Sequence, residues 1–97
     1  MLFENHFKKK IKGSHLLRIT CAHCRYFIAL YQKVGESNLV KMYLDRIVES
    51  SMDLSDIPGA ILCPECGVKI ATKYTVKTDN KPAYRLSPSM FHKAKVR

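Results

Sequence analysis

The chain has no tryptophan, few acidic residues and no long apolar run. Its 97 residues include 8 Asp or Glu against 17 Lys or Arg, so the formal net charge is +9. The longest strongly apolar stretch, YFIALY at 26–31, is far shorter than the ~20 residues of a membrane-spanning helix. The opening MLFENHFKKK places Glu4 and Asn5 ahead of its lysines, with no apolar segment behind them, which is not typical of a signal peptide. We therefore expect a cytoplasmic protein with reduced thiols and no membrane partner.

The length predicts one small domain over residues 1–97. A chain of this size buries only about 60–65% of the surface that its unfolded form exposes, so a disulfide, a metal or a partner often supports the core. We expect basic, flexible ends at about 1–15 and 87–97. In the first of these, Phe3, Phe7 and Ile11 recur every four residues, so a short amphipathic helix and a frayed end are both open.

All four cysteines lie in two pairs of equal spacing, CAHC at 21–24 and CPEC at 63–66. A gap of two residues lets a tight turn aim both sulfurs of a pair at one point, and two such turns supply the four thiolates of a structural zinc site. In the second pair, Pro64 favours a turn and Gly67 permits the positive φ that often follows the last ligand. The first pair has Arg25 in the place of that glycine. We predict one Zn²⁺ per chain, with the ligands Cys21, Cys24, Cys63 and Cys66.

Other chemistries of cysteine pairs fit less well. Four thiolates also suit a rubredoxin-type iron site, which spacing alone does not exclude. A disulfide within each pair is typical of redox enzymes, but the chain has no thioredoxin-like βαβ pattern. A catalytic zinc keeps one open position, and the zinc deaminases need a His-x-Glu and a Pro before Cys-x-x-Cys, both missing here. We therefore expect no enzyme.

Strand-like segments flank both pairs. Residues 16–20 and 25–32 read as the arms of one hairpin. The second hairpin is predicted from AIL, which precedes the second cysteine pair, and from the alternating segment VKIATKYTVKT at 68–78. AYRLS at 83–87 is the candidate for a last short strand. The sequence therefore predicts a small, mainly β domain with two knuckle hairpins, and one short helix stays open as an addition.

The segment between the hairpins is ambiguous. KVGESN at 33–38 has the composition of a turn. LVKMYLDRIV at 39–48 has its apolar residues at a helical period, yet a segment that follows a strand and a short turn suits a hairpin. Both interpretations stay open, with a slight preference for a strand.

CAHC and CPECG on hairpin-like flanks resemble the zinc-ribbon, or rubredoxin-like, group of folds. GESNLVKMYLDRI and NKPAYRL also resemble small stand-alone zinc-ribbon proteins of microbes, most of them uncharacterised. The resemblance implies a role in transcription, translation or RNA handling. The 38 residues between the pairs exceed the ~15–20 of the common pattern, so they predict a structured insertion.

Basic residues favour RNA or DNA as the partner. Lys69, Lys73 and Lys77 recur on one face of the predicted strand, roughly 13 Å from first to second at ~3.3 Å per residue, and such a row can follow a phosphate backbone. Nearby aromatic rings could stack on bases: Tyr74, Tyr84 and Phe91. The candidate nucleic-acid-binding residues are Lys69, Lys73, Lys77, Arg85, Lys93 and Lys95.

A solvated lysine face that protects a sheet edge is the plain alternative for the same residues. Residues 34–68 hold six of the eight acids, and this acidic middle could face a basic partner instead. A zinc-stabilised adaptor that binds another protein is therefore the second functional hypothesis.

Overall fold

The computed structural model describes residues 2–35 and 38–96. Nine strands and a single turn of 3₁₀ helix, Leu44–Arg46, occur within these ranges, and no helix there is long and apolar enough to cross a membrane. The mainly β prediction is confirmed. In chain order the strands are β1 (Phe3–Glu4), β2 (His15–Cys21), β3 (Phe27–Lys33), β4 (Lys41–Tyr43), β5 (Ile47–Ser50), β6 (Ala60–Leu62), β7 (Lys69–Val76), β8 (Lys81–Leu86) and β9 (Phe91–Lys95).

The strands form two antiparallel sheets. The five-stranded sheet has the order β1-β5-β3-β2-β9, and the four-stranded sheet has the order β4-β8-β7-β6. Apolar side chains from both sheets form one core cluster, since alternate residues of each strand point to the same face. Its largest fully buried members are Ile19, Ile28, Tyr31, Met42, Ile47, Ile61, Ile70 and Tyr84. The two sheets therefore share a single hydrophobic core.

Both predicted knuckle hairpins are present. β2 pairs with β3 around the first cysteine pair, and β6 pairs with β7 around the second. Each pair of strands lies in a different sheet. Each cysteine pair therefore lies at the hairpin turn of a different sheet.

The segment 39–48 is neither one helix nor one strand. β4 pairs with β8 in the four-stranded sheet, whereas β5 pairs with β3 in the five-stranded sheet. The 3₁₀ turn between them redirects the chain, so Met42, Leu44 and Ile47 are all buried on the shared core. The preference for a strand over a helix is therefore correct, but the segment forms two short strands that belong to different sheets. Of the predicted turn at 33–38, residues 36 and 37 lie outside the described residues.

Both ends of the chain contain strands, β1 in 1–15 and β9 in 87–97. The amphipathic helix that was one of two interpretations of 1–15 is not formed in its described residues, and the flexibility of the two ends stays a prediction. β9 pairs with β2 from Leu17↔Lys95 to Cys21↔Phe91, and β1 pairs with β5. β9 is a strand because its backbone completes the open edge of β2. Its residue pattern carries no such signal, since every residue after Phe91 in β9 is exposed.

Asn5 anchors the N-terminal segment to the 3₁₀ turn. Its buried Nδ2 donates to the carbonyl oxygens of Leu44 at 2.6 Å and Ile47 at 2.7 Å. Its Oδ1 accepts from the Phe7 backbone N–H at 3.1 Å, and its own N–H donates to the Val48 carbonyl at 3.0 Å. One buried amide thus bonds three backbone groups, and the Leu44 carbonyl also accepts the Ile47 N–H at the end of the 3₁₀ turn.

We expect Asn5→Ala to lower the free energy of unfolding by about 2–3 kcal/mol, because it removes the three hydrogen bonds of a buried side chain. Urea unfolding followed by circular dichroism measures the change. His6→Ala is the control, since His6 is exposed and its loss is expected to cost less than ~0.5 kcal/mol. Equal midpoints for the two variants would contradict this role of Asn5.

Candidate metal centre and basic groove

The four cysteine sulfurs form one cluster. All four Sγ atoms lie within 4.8 Å of one another, with Cys21 and Cys66 at 3.6 Å and Cys24 and Cys63 at 3.4 Å. In a tetrahedral site with metal–sulfur bonds of ~2.3 Å, the sulfurs lie roughly 3.8 Å apart, so the donor set fits a metal ion. Among the described residues, no histidine or carboxylate joins this cluster. The structure therefore brings the four predicted ligands together.

The two knuckles have matching backbone geometry. In the first, the Arg25 N–H donates to the Cys21 carbonyl at 2.8 Å, and in the second the Gly67 N–H donates to the Cys63 carbonyl at 2.8 Å. Arg25 has φ 66° and Gly67 has φ 80°, so the residue after each last ligand is left-handed. Arg25 thus adopts the left-handed conformation that the sequence analysis expected only of a glycine, at a steric cost of roughly 1–2 kcal/mol.

Burial, backbone N–H groups and contacts between the sulfurs shift the pKa values of the cysteine thiols. Burial raises the pKa of the Cys21 thiol, but the N–H groups of Cys24 and His23, together with neighbouring sulfurs, bring it down to about 7. At Cys24 the Tyr26 N–H lowers the pKa, whereas burial and contacts with the other sulfurs raise it to about 12. One thiolate is stabilised and a second beside it is disfavoured, as expected for like charges held together. A divalent cation offsets this repulsion, and its binding releases the remaining protons.

The predicted basic residues separate into two groups. Lys69 begins β7 and is exposed, Lys73 is half-buried in the same strand, and Lys77 is exposed in the turn that follows. Burial along β7 does not split into one apolar and one lysine face, because Ala71 is buried on the lysine side. Tyr74, one of the rings that could stack on bases, is half-buried.

Arg85 and Lys93 meet in a groove of about 800 Å³ between the sheets. Arg85 and Tyr74 come from the four-stranded sheet, and Lys93 and Phe91 come from β9 of the five-stranded sheet. The Arg85 guanidinium lies 4.8 Å from the centre of the Tyr74 ring. Lys41 completes the basic lining. Lys69, Lys73, Lys77 and Lys95 do not line this groove.

Two smaller depressions adjoin the groove. One, of about 130 Å³, shares Lys93 with the groove and also contains Lys33 and Lys95. The other, of about 200 Å³, shares Lys41 and also contains Lys33 and Arg46. We call the cations around these three concavities the basic face: Lys33, Lys41, Arg46, Arg85, Lys93 and Lys95. No Asp or Glu in the described ranges lines any of the three concavities.

Sequence reasoning missed half of the basic face. Lys33, Lys41 and Arg46 lie in or beside the segment whose structure was ambiguous, and they were not singled out. A strand pattern shows which residues share a face of that strand, but not which strands of another sheet lie opposite. The pairing of β4 with β8, which places Lys41 across from Arg85, has no local sequence signal.

Comparison with protein-family models, with curated proteins and with solved structures finds no match to this chain. The resemblance to zinc ribbons therefore stays an interpretation of the sequence; the structure shows four clustered sulfurs that could hold a metal ion, and one hairpin at each cysteine pair.

We expect Gly67→Ala to reduce the free energy of unfolding of the metal-bound protein by about 1–2 kcal/mol, because a Cβ is strained at φ 80°. A Cβ there would meet no atom within 4 Å, so the cost is purely conformational. Gly59→Ala is the matched control, since its Cβ also meets nothing and its φ lies outside the left-handed region. We expect Gly59→Ala to be neutral or slightly stabilising. If both variants lowered the free energy of unfolding equally, the strain assigned to a Cβ at Gly67 would be contradicted. The measurement is thermal or urea unfolding.

We expect Cys63→Ser to lose the bound metal and to unfold or loosen the whole domain, because the site joins hairpins of both sheets. Metal analysis of the purified protein and an amide NMR spectrum report the two effects. Thr72→Ser, at an exposed residue of β7, is the control for a change of similar size. A Cys63→Ser protein with full metal content and an unchanged spectrum would refute the model.

Proposed function

We propose that this protein is a zinc-stabilised module that binds nucleic acid. The metal centre supports the structural part of the proposal, because four matched cysteines close a tetrahedral shell and leave no position for a substrate. Four thiolates in a tetrahedron are the donors that structural zinc prefers. On this interpretation the metal folds the domain, and the chemistry of recognition belongs to the surface.

The basic face is the observation that carries the binding proposal. Six cations surround three adjoining concavities without a described carboxylate among them. Two ion pairs of the described residues lie away from this face, between Lys8 and Glu4 and between Lys81 and Asp45. Lys41 and Lys93 have no carboxylate partner in the described ranges. Lys41 and Lys93, on a concave surface without a described carboxylate in its lining, are suited to bind the phosphates of a polyanion.

The metal is tested first, on protein purified without added metal. We expect one zinc per chain. Iron, recognised by its thiolate charge-transfer absorption, would replace the zinc assignment with a rubredoxin-type site and favour electron transfer. Paired thiols without metal would remove the structural role of the site.

We expect binding to a labelled oligonucleotide to weaken steeply as salt rises, because phosphate contacts release counterions. Arg85→Gln with Lys93→Gln should lower the slope of log K against log salt by about 1–2, since each phosphate contact contributes about one unit or slightly less. Fluorescence anisotropy over a salt series measures both.

Lys69→Gln with Lys77→Gln is the matched control, since it removes the same charge from the start of β7 and from the turn that follows this strand, both outside the groove. Equal effects of the two double variants would show attraction by net charge alone. No binding at low salt would reject a nucleic-acid function and leave a protein-binding adaptor as the better hypothesis.

A further inference from the structure

We infer that the groove holds an unpaired nucleotide of a single strand, with its base on the Tyr74–Arg85 stack and its phosphate among the groove's cations. This inference rests on the proposed function and narrows it from nucleic acid in general to unpaired bases. The volume of about 800 Å³ lies within the range of ~300–1,000 Å³ typical of small-ligand sites.

The lining of the groove divides into apolar and cationic parts. Tyr74, Phe91 and Val40 provide aromatic and aliphatic surface, and Val40 is 63% exposed, the largest value among the exposed large hydrophobic residues described. An apolar side chain left open to solvent beside aromatic rings suits the flat face of a base. A phosphate backbone alone would not use this surface.

The stacked pair of Arg85 and Tyr74 supports a base rather than an acidic peptide. The guanidinium lies 4.8 Å from the ring centre, so the two groups already form a stack. Unpaired bases stack on both aromatic rings and guanidinium planes, whereas carboxylates of a peptide need only the charge. In a duplex the bases are stacked on one another, and none is free to enter the groove.

Lys93 links the groove to a neighbouring depression along which a bound nucleic acid could continue. Lys93 borders both the groove and the depression that contains Lys33 and Lys95, so cations continue beyond the groove in one direction. The Val40 carbonyl accepts a hydrogen bond from the Leu86 N–H at 3.0 Å, which holds the wall of the groove against β8. When a base of a single-stranded nucleic acid enters the groove, the next phosphates of that nucleic acid would lie near Lys93 and then near Lys33 and Lys95.

The test compares a short labelled oligouridine with a duplex of the same length, at one low salt concentration, using the full chain with its metal. We expect the single strand to bind more tightly. Tyr74→Leu should weaken single-strand binding about tenfold or more and leave the salt slope unchanged, because a stacking contact is lost without a phosphate contact. Tyr74→Phe should bind like the original protein, since the ring is kept.

Phe7→Leu is the control, because Phe7 is an exposed aromatic residue outside the three concavities. Thermal unfolding of every variant separates a binding loss from a folding loss. Equal affinity for duplex and single strand, with no effect of Tyr74→Leu, would overturn the inference and leave the proposed function standing. Polyglutamate that displaces the oligonucleotide as well as unlabelled oligouridine does would also overturn it. Failure to bind either nucleic acid would reject both.

Discussion

The convergence of four sulfurs from two sheets is the constraint on which the rest of the structure depends. Each sheet supplies one hairpin, and each hairpin supplies one cysteine pair. A chain of this length has a thin core, and its two sheets share that core without a disulfide between described cysteines. A metal ion bound at this junction would fix the spacing of the two sheets, and its binding would then be coupled to folding.

The same constraint explains why two knuckles of different sequence have the same backbone. Gly67 enters the left-handed region without steric cost, whereas Arg25 does so against its preference. The carbonyl of the first cysteine receives an equivalent hydrogen bond in both knuckles. The demand that two sulfurs point at one ion therefore overrides local propensity at Arg25, and strain of this kind persists only where surrounding structure over-determines the conformation.

Features that depend on near neighbours were predictable from the sequence. The spacing within each cysteine pair and the alternation beside it indicated the ligands and both hairpins. Features that depend on distant pairing were not. β9 is a strand because of the edge of β2, about 70 residues away, and the segment 39–48 is divided because each half finds a partner in a different sheet. The basic face combines residues from both kinds of segment, so only Arg85, Lys93 and Lys95 of its six cations were among the candidates.

The late position of β9 in the chain has a consequence for the order of assembly. Every sulfur ligand precedes residue 67, and the hairpins that carry the ligands need only local loop closure, which is fast and entropically cheap. Phe91 and Lys93 reach the groove only after β9 has closed a long loop back to β2. A growing chain can thus contain all four cysteines and both of their hairpins before the groove exists, so the groove is completed last.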